Sequence, residues 1–295
     1  MDIVAVFCIV DDFCQQFAPT WQRHWLPKPG RQRHRPCRLA LSEALTLVIW
    51  FHLSGYRCFK HFYLRQVCTE LRSAFPHLPS YGRMVELLPA TFVPLCALLR
   101  HGLAPTRGIA FIDSFPLKVC HTRRIHSHRV FAGIAQRGKS SMGWFYGFKL
   151  HIVINDQGQL VAVQLTPGNT DDRRPVPTLT KPLRGKLFGD RGYLGQELFT
   201  TLWARGLQLV TKIKRNMKNK LLLLMDKLLL RKRGLIECVG DQLKNLCQIE
   251  HTRHRSVINA HVNILAALVA YTFRPRKPSL GLTTEQTHQI AAIAF

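Results

Sequence analysis

The sequence predicts a mixed α/β domain behind an all-helical one, and three observations carry that prediction. Up to about residue 107 apolar residues recur three and four apart, the helical period. After Pro105 they gather into short runs bounded by turn residues. Those runs come in the order three strands, helix, strand, helix, strand, helix, which gives a sheet flanked by helices.

The elements follow in chain order. Residues 39–53 read as a helix ended by Gly55; Phe59, Phe62, Tyr63 and Val67 keep the helical spacing, and Pro76, Pro79 and Gly82 mark loops before residues 84–88 and 92–99. Residues 108–113 are the first strand. Residues 148–155 alternate as a second, and Asn155-Asp-Gln-Gly158 turns into a third at 160–165. The stretch Pro167-Gly-Asn-Thr-Asp-Asp172 is a loop entering a helical crossover to Leu183, capped by Thr170 or Asp171. A strand at 186–190, a helix at 196–205, a strand at 207–214 and a helix over 228–248 complete the pattern. This is the order of a ribonuclease-H-like α/β fold. The expected division is therefore 1–107, helical and a DNA-binding candidate; 108–275, the catalytic domain; and 276–295, a peripheral tail.

Composition narrows the partner. The 42 Lys and Arg against 17 Asp and Glu, a formal charge of +25, point to a polyanion. The excess is spread along the chain, with one acid-free block at Arg23, Lys28, Arg31, Arg33, Arg35 and Arg38 and another at Lys212, Lys214, Arg215, Lys218 and Lys220. Nine cysteines without paired spacing read as reduced thiols, the N-terminus lacks the basic region of a signal peptide, and the apolar run 44–51 is too short to cross a bilayer. A cytoplasmic, non-membrane protein is expected. There is no P-loop and no Gly-x-Gly-x-x-Gly, so no nucleotide cofactor is expected.

Three acids stand out in a chain short of acid: Asp113 at the end of an apolar strand, Asp190 in Gly189-Asp-Arg-Gly-Tyr193, and Glu237. Period-two geometry puts Ile109, Phe111 and Asp113 on one face, so the carboxylate continues an apolar surface. The predicted strand order brings Asp190 beside it, and two adjacent carboxylates call for a divalent cation. Around a helix, Arg233, Glu237, Asp241 and Lys244 share one stripe, either a site or a solvated row of ion pairs. Two Mg²⁺ ions, with Mn²⁺ as a substitute, suit such an all-oxygen set; Asp113 would bridge them, Asp190 and Glu237 would complete one each, and Arg233 and Lys244 would reach flanking phosphates.

Weaker candidates are zinc at Cys120, His121, His126 and His128 or at Cys247, His251 and His254; the Asp171-Asp172 pair, read as a helix start; and Trp144, Phe145 and Tyr146, read as core more than as base-stacking rings.

Five stretches together, Phe111-Ile-Asp-Ser-Phe-Pro-Leu-Lys-Val-Cys-His121, Tyr146-Gly-Phe-Lys-Leu-His-Ile-Val-Ile-Asn155, Leu165-Thr-Pro-Gly-Asn-Thr-Asp-Asp172, Gly189-Asp-Arg-Gly-Tyr-Leu194 and the spacing of Arg233, Glu237 and Lys244, carry a resemblance. Over about residues 107 to 278 the sequence resembles the DDE transposases of bacterial insertion sequences, most closely the insertion sequence 982 family. The resemblance implies a ribonuclease-H-like core, Mg²⁺-dependent cleavage and 3′-hydroxyl strand transfer at terminal inverted repeats, target DNA as partner, and a catalytic triad at Asp113, Asp190 and Glu237. Assembly on paired ends implies a homodimer or larger. One departure is Leu230, where related transposases often carry a tyrosine. A nuclease that only hydrolyses, or a DNA-binding relic without turnover, fits the same residues.

Overall fold

The computed structural model describes residues 1–24, 38–140, 143–212, 222–250 and 254–292. Two compact units divide the chain: residues 1–102 with 243–275, and residues 103–242 with 276–295.

The first unit is all helical. Its helices are α1 (Ile3–His24), α2 (Leu41–Leu53), α3 (Phe59–Phe62) running on as a π-helix over Tyr63–Glu70, α4 (Tyr81–Leu87), α5 (Phe92–Gly102) and, from far along the sequence, α10 (Val257–Phe273). Helix α2 is apolar nearly all round and buried accordingly, and it packs against α1 and α10. Glu43 closes its N-terminus, accepting the Ala40 N–H at 2.7 Å. Sequence periodicity places α2, α4 and α5 within a few residues; it does not reveal that α10 completes their core through Ala266, Ala267, Val269 and Tyr271. By length and apolarity Ile3–Trp21 and Tyr81–Gly102 would also cross a bilayer, a longer pair than the run at 44–51, although the core helix of a water-soluble protein passes the same test.

The second unit holds a six-stranded sheet: β1 (Ile109–Cys120), β2 (Gln136–Ser140), β3 (Gly143–Asn155), β4 (Leu160–Pro167), β5 (Gly185–Gly189) and β6 (Leu207–Thr211). The path β2-β3-β1-β5-β6 is completed by β4, which pairs with the second half of β3 while β2 pairs with the first. The pairings among β1, β2, β3 and β4 are antiparallel; β5 and β6 add parallel. Helices α6 (Val176–Leu179), α7 (Gln196–Trp203), α8 (Leu224–Arg231), α9 (Gly234–Asp241) and α11 (Thr284–Ala292) complete it. Ala110, Ile112, Val153 and Leu187 turn one face of the sheet into a core with Val176, Leu179, Leu198 and Leu202 of α6 and α7. Alternation sends Ile109, Phe111 and Phe188, each fully buried, to the other face, where α8, α9 and α11 touch the strands.

Several elements differ from the sequence expectation for physical reasons. Strand β1 runs seven residues beyond Asp113 despite Pro116, because β5 pairs with β1 only as far as Phe111↔Phe188 and leaves that edge free of a ladder that needs the missing N–H. The crossover to Leu183 holds a helix of four residues, since Pro175, Pro177 and Pro182 interrupt it. The single helix expected over 228–248 is broken: α8 stops at Arg231, α9 restarts at Gly234, and a π-helix follows over Gln242–Leu246. Gly234 at the restart, a poor helix former, lowers the cost of the break. Residues 276–295, expected as a peripheral tail, contain α11, whose Ile290 is buried and which touches β1 and β5.

A buried ion pair fixes α8 on the sheet. The Lys186 ammonium, in the middle of β5, lies 2.7 Å from Asp226 of α8, both essentially without solvent exposure. Leu229 and Leu230 of α8 are buried, so the side chain at the departure position serves the core, whereas Leu223, Leu224 and Leu228 are exposed.

Candidate active site

Strand β1 delivers Asp113 to the sheet face covered by α9, opposite Ile152 of β3. Parallel pairing sets Phe111 beside Phe188, so Asp113 and Asp190, each two residues further on, stand at matching positions where β1 and β5 part. The Asp190 backbone caps the turn Arg191–Tyr193, accepting the Tyr193 N–H at 3.1 Å, and its side chain is exposed.

Glu237 comes from α9. Arg233, at that helix's N-terminal boundary, spans the gap: Nη1 donates to Asp113 Oδ2 at 2.9 Å and Nη2 to Glu237 Oε1 at 2.6 Å. The two carboxylates differ sharply in surroundings, with 20% of the Asp113 side chain exposed against 58% for Glu237. Burial pushes the Asp113 carboxyl above its usual range; the Arg233 charge and the Ser114 N–H, 2.8 Å from Oδ1, oppose that shift, and Asp190 adds to it. Asp113 is thus close enough to both Arg233 and Asp190 to feel their charges.

A polar network backs this site from the opposite sheet face. Ser114 donates through Oγ to Asp172 Oδ1 at 2.8 Å, and the Lys149 ammonium reaches the same oxygen at 3.0 Å and the Thr170 carbonyl at 2.8 Å. Behind them His151 is fully buried, its Nε2 2.8 Å from Thr166 Oγ1. Burial pushes this imidazole down to about 4, Asp172 opposing and Lys149 assisting. The Tyr193 phenol, also buried, is raised by burial and by the negative charges of Asp113 and Asp172. Sequence reasoning passed over Ser114, Lys149 and His151. The signal was present, since Lys149 and His151 interrupt the apolar run of β3, a strand whose residues are buried on both faces.

The remaining site residues are scattered more widely. Lys212 is exposed just past β6, and Lys214 and Arg215 lie outside the described residues. Lys244 belongs to the helical unit, where its ammonium is 3.8 Å from Glu250. Neither Thr170 nor Asp171 caps the crossover helix, which starts at Val176 behind Pro175; the Asp171 carboxylate takes Arg173 Nη2 at 2.6 Å instead, and hydrogen bonds from the side chain and backbone N–H of Arg173 hold it down at about 2. Among the described residues no group of three or more His, Cys, Asp or Glu side chains is already gathered as a metal centre. The Cys120 and His128 neighbourhood is aromatic instead, with the His128 ring stacked on Phe131 at 5.5 Å. Tyr146 and Phe145 are core, as expected, and Trp144 is 60% exposed.

Three comparisons bear on this arrangement. None of the curated proteins matches the chain. Among solved structures, a cryo-EM structure of a piggyBac transposase synaptic complex with hairpin DNA aligns with TM-score 0.47 and 11% identity, over 99% of this chain and 80% of that one. The family model described as "Transposase DDE domain" matches residues 103–257, more than half of the 295 residues and the stretch that carries Asp113, Asp190, Arg233 and Glu237. This chain therefore belongs to the transposase DDE-domain family.

Proposed function

We propose that the chain is a DNA transposase that cuts phosphodiesters at the ends of a mobile element and joins the freed 3′-hydroxyl to target DNA, with Asp113, Asp190 and Glu237 as its catalytic acids. The observation that carries the reading is Arg233 held between Asp113 and Glu237 beside the Asp113/Asp190 strand ends: a cation already sits between acids from separate elements. The sheet, four strands joined by antiparallel pairings with β5 and β6 added parallel, supports a ribonuclease-H-like core. Membership of the insertion sequence 982 family belongs to the same proposal.

The donor set fits divalent cations, because carboxylate oxygens are the ligands that Mg²⁺ or Mn²⁺ prefer and the spot between two of them accepts positive charge. Asp113, Asp190 and Glu237 would hold two such ions, which when bound supply charge neutralisation at the scissile phosphate. The chain's own groups do the rest. The Ser114 N–H fixes Asp113 Oδ1, and Arg233 holds Oδ2, the oxygen that would face a cation. The Arg233 guanidinium, whose two Nη atoms here bridge separate carboxylates, has the fork geometry that would suit a phosphate. Lys212, Lys214, Arg215 and Lys244 add phosphate contacts, the helical unit binds element ends, and two copies pair the ends in the cytoplasm.

A strand-transfer assay with labelled element ends tests this. Wild type gives cleaved and joined products with Mg²⁺, and Asp113→Asn, Asp190→Asn and Glu237→Gln give neither while still binding the ends. Cleavage without joining would identify a nuclease. Binding without turnover in the wild type would identify a DNA-binding protein.

A further inference from the structure

We propose that Trp144, with Arg137 and Lys139, forms a stacking site for an unpaired DNA base on the β2–β3 ribbon; the proposal deepens the transposase reading and rests on it. Strands β2 and β3 pair so that Lys139 lies across from Trp144 and Arg137 across from Tyr146, which puts both cations and the indole on one face of the ribbon. The indole is 60% exposed, with the Arg137 guanidinium 5.8 Å and the Lys139 ammonium 5.9 Å from its ring. An aromatic plane flanked by cations is the arrangement that holds single-stranded nucleic acid, the ring taking a base and the cations its phosphates.

The ring borders a cleft of about 560 Å³, a volume in the range of small-ligand sites. Its walls carry four cations and two acids. Asp172 is paired with Lys149 and Asp171 with Arg173, whereas Arg137 and Lys139 have no acidic partner among the described residues. The surplus is positive and lies beside the ring. Backbone closes the floor: a Cβ on Gly138 would collide with the Gly168 carbonyl, so glycine there lets the 168 loop approach β2. Gly192 and Leu194, in the turn that follows Asp190, line the same cleft, and its Asp172 is bonded to Ser114, the neighbour of Asp113. The cleft that Trp144 borders therefore runs from the β2–β3 ribbon to the turn after Asp190 and to the network that backs Asp113 from the opposite sheet face. Stacking asks for a base freed from its duplex, so the ligand is a single strand or a frayed end.

Fluorescence anisotropy of the full chain with labelled oligothymidylate and with duplex DNA of the same length, in EDTA, tests the site. Trp144→Ala is expected to weaken oligothymidylate binding by about ten-fold or more while duplex binding stays within about two-fold. Trp144→Phe, which keeps a stacking ring, retains most of the affinity and controls for folding, and Arg137→Ala or Lys139→Ala lowers the salt dependence for the single strand. Unchanged oligothymidylate affinity in Trp144→Ala, or equal losses for both DNAs, overturns the proposal. Because no cleavage is read, the outcome is separate from the fate of the catalytic assignment.

Discussion

At the scale of single residues, the balance around Asp113 sets what the site does. Its carboxylate is buried at the end of an apolar strand, and Arg233 compensates it while sharing a second bond with Glu237. A cation entering between these acids competes with the guanidinium for the same oxygens. Arg233→Ala is therefore expected to tighten Mn²⁺ binding by about ten-fold without DNA, and to lower cleavage because the phosphate contact is lost; weaker metal binding in that variant would show that Arg233 only positions the acids. His151 makes a different prediction. Its folded value near 4 lies below the ordinary 6.5, so the unfolded chain takes up the proton first, and stability falls as pH drops from about 6.5 to about 4. The loss is on the order of 3 kcal/mol at the acid end, and His151→Gln flattens it. Melting temperatures at several pH values check this, and a slope unchanged in the variant would assign the acid sensitivity elsewhere.

Among elements, α9 on β1 matters most. A Cβ on Gly240 would run into the Phe115 ring, so α9 approaches the strand through a residue without a side chain. Gly240→Ala is expected to cost about 1–3 kcal/mol by overpacking and to reduce cleavage beyond that loss, since Arg233 and Glu237 ride on the displaced helix; activity retained in full at reduced stability would uncouple helix position from the site. The elements also show what the sequence made legible. The hairpin around Asn155, the start of the strand that carries Asp113, the strand before Asp190, and helices α2, α5 and α7 follow from period and turn residues within a few positions. Break points were less visible. The end of α8 at Arg231 depends on how its leucines and Asp226 dock on β5, and the tertiary pairing Lys186–Asp226 leaves no local pattern. Likewise β2 is a polar pentapeptide, Gln136–Ser140, that becomes a strand only because β3 extends to meet it. For the site, residue types and register were readable, while the bridging role of Arg233 and the Ser114–Asp172–Lys149 network depend on which faces meet.

For the whole molecule, charge dominates. A formal +25 spread over both units predicts that DNA binding is driven by phosphate neutralisation and release of counterions. Affinity for duplex DNA is expected to fall at least about a hundred-fold between ~50 and ~200 mM salt, linearly on a double-logarithmic plot; a nearly flat dependence would point to another partner. The same excess explains why the few acids carry so much information: with 17 in 295 residues, a carboxylate held against an apolar face is retained against both its desolvation and the general composition.

Calorimetric titration of Mn²⁺ into the purified chain, wild type beside Asp113→Asn and Asp190→Asn, tests most directly that the acids from β1, β5 and α9 make one cation site. The account predicts saturable binding in the wild type that is lost in each variant while both melt as cooperatively as the parent. Equal binding by all three proteins would contradict it.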